Sequence, residues 1–480
     1  MNIKKLRYGS LVLTLLIGTV LTLSGCSDVS NRTTDQPASG PVTQYEDGYR
    51  FEQNGWIYLN IEGEPYERGF QHGYLAAPEL AEIMRSVKYL TYWETGKEWE
   101  FFVQNAVDQF TNRIDKEYLD EIKGIADGAQ AAGTDITWQE VLAWNGYEEL
   151  LGYWWPLELA GKYAKDDHDH CSAFIATGSA TKDGRIVMAH TSWDEFAFGQ
   201  FFNLILDIEP SQGHRIFMQS GAGYIDSMTD FFVTDAGLMG TETTIGGYKQ
   251  YDPDEDPEFY HARKAMQYAD SLDEFVKLME KKNNGGYANS WLLADVNSGE
   301  IMRFELGLKY HSVDRTKDGY FIGFNAPEDP RIRNLECANT GYNDIRTAMG
   351  ARRVRLTQLM GEYHGKIDVE AAEKIMADHY DVYLEKENPC SRTVEGHYEL
   401  DPFEYWPERL PFAPQGAVDG KVIDSDLASQ LSFWARWGNS SGMPFDAEKY
   451  LAEHIQWDYL DGYLKDRPTQ PWTLFTAGEK

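Results

Sequence analysis

Apolar and polar positions follow different periods in the two halves of the chain, and the change falls close to residue 170. Apolar residues recur every three or four positions in segments 79–93 and 98–132, which is typical of amphipathic helices. Between residues 171 and 308 they form short alternating runs separated by Gly, Asp and Asn, which predicts β-strands. The pattern therefore predicts an α+β fold in which a mainly helical segment precedes a sheet. Helical spacing returns in segments 258–281, 347–363 and 369–379.

Two shorter signals lie within the first half. Residues 55–61 alternate between apolar and polar side chains, which predicts a strand ahead of the helices. Thr137 is followed three residues later by Glu140, which is a capping-box signature, so we expect a helix from here through Leu151. The length allows two or three domains or one large enzyme domain.

The N-terminal residues predict a secretory signal. Basic residues at positions 4, 5 and 7 precede an apolar run over 11–23 that is short for a transmembrane helix. The Leu-Ser-Gly sequence before Cys26 resembles the processing box of bacterial lipoproteins, in which the cysteine is lipidated and becomes the new N-terminus. We therefore expect a signal peptide over 1–25 and a lipid anchor with a polar tether over 26–48. An uncleaved anchor or a plain signal is the alternative.

This arrangement would place the protein at a bacterial cell envelope, anchored to the membrane through Cys26 and facing the periplasm or the exterior.

Composition excludes several classes of protein. The 77 acidic and 44 basic residues give a formal charge of −33, which opposes binding to nucleic acids and weighs against anionic phospholipid substrates. Loss of three basic residues with the signal would change this charge to −36. A 42% hydrophobic and 14% aromatic content is too high for a disordered acidic chain. The 4 scattered cysteines exclude a disulfide scaffold or a four-cysteine metal centre.

A cysteine marks the start of the sheet-rich half. Asp183-Gly184, between two β-rich runs, is a strong hairpin signal, and a two-residue loop there would pair Cys171 with Phe196 and Thr177 with His190. A longer loop could shift the register by one residue and separate the polar side chains. Because side chains alternate along strands, the predicted register puts Thr191 and Trp193 on one face and Cys171, His190, Ser192 and Asp194 on the other.

A thiol needs a base to act as a nucleophile at neutral pH, because its ordinary pKa is about 8.5. Cleavage between His170 and Cys171 would free the α-amine of Cys171, whose pKa of about 8 suits this task. The thiol could make the cut itself by attacking the His170 carbonyl, giving a thioester that water opens. On the residues alone, an inert buried cysteine is the alternative.

Five short motifs resemble, in the same order, those of the phospholipase B-like proteins among the N-terminal-nucleophile hydrolases. More broadly they are similar to the self-processing acyltransferases and penicillin acylases. The resemblance implies a four-layer αββα sandwich with a helical pro-segment over 49–170 and a catalytic domain over 171–480, activated by cleavage between His170 and Cys171. The motifs occupy residues 63–73, 171–193, 227–244, 287–291 and 416–422.

The resemblance also assigns roles to individual residues. Cys171 would be the nucleophile and, through its freed α-amine, the general base, while the amide of Asn289 would stabilise the oxyanion. Thr244 stands where a relative carries an oxyanion asparagine, so it would be the second donor. His190 would orient the amine or bind substrate, and Asp194 would hold the ammonium form. Residues expected to bind substrate are Trp193, Glu242, Trp291 and Thr243, the last being an equal candidate for the second donor.

Several other patterns compete with this site. Residues 438–442 match the Gly-x-Ser-x-Gly elbow of serine esterases, but Pro444 follows where a helix should begin, so a turn is favoured. The His and Asp residues of 166–170 could bind a metal, although an exposed loop at the cleavage point explains them better. Cys337 and Cys390 could form a disulfide in an oxidising compartment. The tryptophans within 138–155 are expected in the core rather than in a lid.

We therefore expect an acyl hydrolase that cleaves an amide or ester of a small acylated substrate, either an N-acyl amide or a lipid, through an acyl-enzyme on Cys171. No cofactor and no metal are expected. An N-acyltransferase of the same superfamily and a non-catalytic surface binding protein are the alternatives. The acyl chain, the leaving group and the oligomeric state are left open.

Overall fold

Two large β-sheets pack face to face, and helices cover the outer face of each. The computed structural model describes residues 32–33, 40–159, 171–229, 231–338, 341–402 and 410–480. The expected signal peptide and Cys26 lie outside this part of the chain. Within it, no helix combines the length and the apolar character needed to cross a membrane.

The described residues form the following elements. The strands are β1 (Arg32–Thr33), β2 (Thr43–Tyr45), β3 (Gly48–Gln53), β4 (Trp56–Gly63), β5 (Cys171–Gly178), β6 (Gly184–Glu195), β7 (Leu204–Pro210), β8 (Ile216–Ser220), β9 (Phe232–Thr234), β10 (Leu238–Thr244), β11 (Asn289–Asp295), β12 (Glu300–Leu306), β13 (His311–Thr316), β14 (Gly319–Gly323), β15 (Tyr380–Asp381), β16 (Lys386–Glu387), β17 (Gln415–Ala417), β18 (Asp419–Asp424), β19 (Ser432–Trp437) and β20 (Trp472–Thr476). The α-helices are α1 (Pro65–Leu75), α2 (Ala77–Thr95), α3 (Trp99–Phe110), α4 (Lys116–Ala131), α5 (Trp138–Asn145), α6 (Trp155–Glu158), α7 (Phe196–Gly199), α8 (Glu258–Tyr268), α9 (Leu272–Glu280), α10 (Ala348–Glu362), α11 (Val369–Met376), α12 (Ser425–Ala428) and α13 (Ala447–Glu453).

Both halves of the chain contribute to the larger sheet. It has ten strands in the order β13-β12-β11-β10-β9-β8-β7-β4-β3-β2, with β4 and β7 running parallel. The other sheet has eight strands, in the order β1-β20-β19-β18-β6-β5-β14 with β17 also pairing with β6. Strands from the expected pro-segment and from the expected catalytic domain therefore share one sheet.

Three apolar cores separate the layers. Between the sheets, Phe217 and Leu292 of the ten-stranded sheet pack with Met188 and Phe433 of the eight-stranded sheet. The other face of the ten-stranded sheet is covered by α1–α5, α8 and α9. The other face of the eight-stranded sheet is covered by α10 and α11. The α+β prediction is confirmed, and the layers follow the order helix, sheet, sheet, helix.

Local sequence patterns predicted most of these elements. The strand expected over 55–61 is β4, and the capping box of Thr137 and Glu140 is present in full. The helix that it begins ends at Asn145 rather than Leu151, because the chain continues as a π-helix over Glu148–Trp154. The helical segments 98–132 and 258–281 are each divided in two, as α3 and α4 and as α8 and α9. The second helix of each pair begins after a residue in an extended conformation, Asp115 before α4 and Ser271 before α9, and the Ser271 side chain accepts a capping hydrogen bond from Glu274 N.

Helices α1 and α4 approach backbone to backbone through glycines. A methyl group at Gly69 or Gly73 of α1 would overlap backbone atoms of α4, and one at Gly124 or Gly128 would overlap α1. The same helices share a buried ion pair in which Arg68 Nε donates 2.7 Å to Glu121 Oε2. These contacts give a physical reason for the glycine spacing in the 63–73 motif.

We predict that Gly73→Ala destabilises the protein by about 1–3 kcal/mol, because the added methyl group forces the two helices apart. The matched control is Gly361→Ala in α10, where no atom lies within 4 Å of the new methyl group. There the better helix propensity of alanine should stabilise the protein by up to about 1 kcal/mol. Urea unfolding of both variants checks this, and an equal effect of the two would contradict the close packing.

Candidate active site

The strand pair β5–β6 carries the candidate nucleophile at its open end. Cys171 pairs with Ser192 rather than with Phe196, so the predicted register is wrong by four positions. The reason is that residues 179–183 connect the strands, where a two-residue loop was predicted. The displacement is an even number of residues, so strand alternation still keeps Cys171, His190 and Ser192 on one face, as predicted.

A buried thiol, imidazole and carboxylate meet at this end of the sheet. The sulfur of Cys171, a ring nitrogen of His190 and a carboxylate oxygen of Glu242 all lie within 4.8 Å of one another. Burial, followed by the Glu242 carboxylate, raises the pKa of the Cys171 thiol well above its ordinary value. Burial, followed by the Lys421 ammonium, lowers the pKa of His190. Thiol and imidazole are therefore both neutral at neutral pH, which makes His190 a poor base for activating Cys171.

A buried charge pair that the sequence analysis missed adjoins this cluster. Lys421, opposite His190 in the sheet, donates 2.6 Å to Ser192 Oγ and lies 2.9 Å from Asp419 Oδ1. Asp419 also accepts hydrogen bonds from Ser192 N and Gln219 Nε2, at 2.9 and 2.6 Å. Both charged side chains are fully buried. The signal in the sequence was an aspartate and a lysine two residues apart in the 416–422 motif, but only the structure shows that both are buried.

Two further residues hold the backbone of Cys171, and the sequence analysis missed both. Cys171 N donates 3.2 Å to Asn325 Oδ1, and Asn325 Nδ2 donates 2.7 Å to the carbonyl of Thr244. Arg352 donates 2.8 Å to the same Asn325 oxygen and also bonds the Cys171 carbonyl. Asn325 has a φ of 63°, a left-handed conformation that asparagine tolerates better than most residues. Neither residue lies in a recognised motif.

The residues expected to stabilise an oxyanion face each other on neighbouring strands. Thr244 of β10 pairs with Asn289 of β11, and Asn325 links this pair to the nitrogen of Cys171. Asn289 is buried, and among the described residues neither atom of its side-chain amide has a hydrogen-bond partner. An unpaired buried amide is costly, so this one is available to a ligand. Thr243 instead packs against Gly323 of the other sheet.

The structure gives Asp194 a different environment from the one expected. It lies opposite Gly416, two residues beyond the partner of Cys171. Burial, followed by the carboxyls of Glu148 and Glu195, raises the pKa of Asp194 well above its ordinary value. Asn325, rather than Asp194, accepts the hydrogen bond from the Cys171 nitrogen. The expected role of Asp194 in holding an ammonium therefore finds no support in its surroundings.

The two tryptophans expected to bind substrate are both fully buried in packing positions. Trp193 lies on the opposite face of β6, where its ring covers the Arg352 guanidinium at 4.0 Å and packs against Gly396. Trp291 packs in the helix-side core against Phe275, with ring centroids 5.5 Å apart. Both tryptophans therefore pack around the site and do not line it.

The remaining expectations divide between the described residues and the rest of the chain. His170 and the run 166–170 lie outside the described residues. Cys337 and Cys390 are both thiols rather than a disulfide pair. Residues 438–442 form a turn after β19, and the next helix begins only at Ala447, which agrees with the preference for a turn over an elbow.

Several known proteins are similar to this chain in sequence. A family model described as Phospholipase B matches residues 43–458. The chain is 24% identical over 399 residues to an uncharacterized protein of Archaeoglobus fulgidus, and the match covers 74% of this chain and 63% of that protein. It is 27% identical over 301 residues to Phospholipase B of Crotalus adamanteus, with 56% and 51% covered.

The chain thus spans about half to two thirds of the length of these two relatives. A solved structure, a variant of conjugated bile acid hydrolase from Clostridium perfringens, matches with a TM-score of 0.28 and 8% identity, covering 56% of this chain and 82% of that one.

We predict that Lys421→Met destabilises the protein by about 3–5 kcal/mol, because it leaves the Asp419 carboxylate buried without its cation. The double variant Lys421→Met/Asp419→Asn should recover much of this loss. Urea unfolding of the two single variants and the double variant gives the coupling energy, expected at about 0.5–3 kcal/mol in favour of the pair. A coupling close to zero would refute the ion pair.

Proposed function

Because the chain belongs to the phospholipase B family, we propose that it is an acyl hydrolase of the N-terminal-nucleophile type, with an αββα fold and Cys171 as its nucleophile. The observation that carries the proposal is the link from the Cys171 nitrogen through Asn325 to Thr244, which faces the unpaired amide of Asn289. A nucleophile that starts a strand, a held nitrogen and an available donor are the parts that this chemistry needs.

Activation would be a cleavage between His170 and Cys171. The thiol adds to the His170 carbonyl, the carbon–nitrogen bond breaks as the nitrogen takes up a proton, and a thioester remains. Water then hydrolyses the thioester, which frees the thiol and leaves a carboxylate on His170. The new α-amine would keep its hydrogen bond to Asn325 Oδ1, which orients the nitrogen lone pair toward the thiol.

In the mature enzyme the α-amine, rather than His190, would take the thiol proton, since burial keeps the imidazole neutral and weakly basic. The positive charge of Lys421 favours the thiolate, because it lowers the pKa of the Cys171 thiol. Burial raises the same pKa and has the larger effect. The thiolate attacks the acyl carbonyl, and the Asn289 amide donates to the oxyanion. The leaving group takes the proton from the amine, and water hydrolyses the acyl-enzyme.

The substrate is proposed at the level of chemical class. The family name favours a lipid ester, and an N-acyl amide is the second candidate, because both present an acyl carbonyl to the thiol. The formal charge of −33 disfavours approach of anionic head groups, so we propose a neutral or zwitterionic substrate. There are two alternatives, N-acyl transfer to an amine acceptor and binding without catalysis. The assays below distinguish each of them from hydrolysis.

Attachment to a bacterial membrane through lipidated Cys26 is a separate proposal, which rests on the sequence of residues 1–26 alone.

For the cleavage, we predict that the wild-type protein separates into two polypeptides on a denaturing gel and that Cys171→Ala stays intact. The matched control is Cys337→Ala, which removes another thiol and should be cut as the wild type is. Intact mass spectrometry locates the cut. Wild-type protein that keeps its full mass, or a cut at another bond, would count against self-processing.

For the oxyanion donor, we predict that Asn289→Leu lowers kcat by about 100- to 1,000-fold with little change in Tm, because its amide stabilises only the charged intermediate. Release of free acid from phospholipids and from N-acyl amides, with and without an amine acceptor, provides the readout. Asn297→Leu, on the turn after the same strand, is the control and should keep its activity. Unchanged kcat for Asn289→Leu would remove this residue from the mechanism.

A further inference from the structure

A second group of convergent polar side chains lies outside the candidate active site. His379 follows α11, and Glu395 and His397 lie in the loop after β16. His379 Nε2 is 2.7 Å from Glu395 Oε2 and 3.0 Å from His397 Nε2. His397 Nε2 is 3.2 Å from the same carboxylate oxygen. Two imidazole nitrogens and one carboxylate oxygen, from three different residues, therefore converge on one point.

These three atoms are close enough together to share one metal ion. An ion bound at about 2.0–2.2 Å by three ligands in tetrahedral geometry places the ligand atoms about 3.3–3.6 Å apart, so binding would widen the three separations by less than about 1 Å. Two imidazole nitrogens and one carboxylate oxygen are a common ligand set for zinc, and a water molecule can take the fourth position. The side chains of Glu395 and His397 are 0% and 2% exposed, whereas that of His379 is 14% exposed and leaves a route to solvent.

Hydrogen bonds without an ion explain the cluster less well. Only one proton can lie between the two imidazole nitrogens, and two protonated rings would direct like charges at each other across 3.0 Å. A divalent ion would instead accept a lone pair from each nitrogen and from the carboxylate. This requires that both Nε2 atoms be unprotonated, and the Glu399 carboxylate beside Nδ1 of His397 allows that ring to carry its proton there.

Hydrogen bonds from neighbouring groups hold the three ligand side chains in place, as is usual around a metal site. Glu399 Oε1 lies 2.8 Å from His397 Nδ1, so this carboxylate can accept a proton there and leave Nε2 for the ion. The backbone nitrogen of Ser441 donates 2.8 Å to Glu395 Oε1, which directs the other oxygen toward the histidines. Backbone hydrogen bonds from Glu395 N to Asp378 and from His397 N to Cys390 tie the ligand segments to each other.

We propose that His379, Glu395 and His397 bind one divalent transition-metal ion, with zinc as the expected occupant. None of these ligands belongs to the Cys171 site, so the ion takes no chemical part in the proposed acyl transfer.

The position of the ion suggests a supporting role. Gly396 lies between two ligands, packs against the Trp193 ring, and accepts a 2.9 Å hydrogen bond from Ala417 N at the end of β17. Trp193 in turn covers Arg352, which bonds the carbonyl of Cys171. The ion would therefore stabilise the loop that contains Gly396, which packs against Trp193 on the outer side of the candidate active site.

The test uses the full chain, stripped with a chelator, dialysed, and titrated with Zn²⁺ alone. We expect one equivalent to bind and the Tm to rise, and Co²⁺ in its place should give the visible absorption bands of a nitrogen-ligated site. His379→Ala and His397→Ala should lose that equivalent, whereas His364→Ala, at an exposed histidine outside the cluster, should keep it.

If either ligand variant fails to fold, Glu399→Gln provides the second test. It leaves the three ligands in place and should weaken Zn²⁺ binding by about 10- to 100-fold, because the outer carboxylate orients His397. Stripped wild-type protein that binds no Zn²⁺ would overturn the proposal and leave a hydrogen-bonded cluster only. Equal binding by wild type and both ligand variants would also overturn it, because the ion would then lie elsewhere.

Discussion

The hydrogen bond from the Cys171 nitrogen to Asn325 joins the parts of the candidate site that come from distant segments. Asn325 is 154 residues from Cys171 in the chain, yet it fixes the nitrogen of the first residue of β5. Its other amide atom holds the carbonyl of Thr244, so one side chain sets the distance between the two sheets at this point. Arg352 braces both Asn325 and the Cys171 carbonyl, and it is itself covered by Trp193.

The fold can bury so many polar groups here because each sheet supplies partners to them. The Lys421–Asp419 pair satisfies Ser192 and Gln219 at the same time, which offsets the cost of removing two charges from water. The amide of Asn289 stands apart from this network. Among the described residues, both nitrogens of His190 and the hydroxyls of Thr243 and Thr244 are also buried without partners, so several polar groups around Asn289 are available to a ligand.

Much of the fold could be predicted from local sequence, because local rules determine it. The capping box at Thr137 and the alternation in β4 depend on residues a few positions apart. The register of β5 and β6 depended on a loop length that Asp183-Gly184 did not reveal, and the shared face was correct only because the error was an even number of residues. Asn325 and Arg352 could not be predicted, since their role arises from contacts across more than 150 residues with no spacing motif.

The parallel pairing of β4 with β7 has a consequence for a chain cut before Cys171. Seven residue pairs, from Ile57 with Leu204 to Gly63 with Pro210, join strands on opposite sides of that cut. The N-terminal piece also supplies β2 and β3 at the sheet edge and the helices α1–α5 over its outer face. Cleavage would therefore produce a stable heterodimer rather than release an activation peptide, and its two subunits would part only when the sheet itself unfolds.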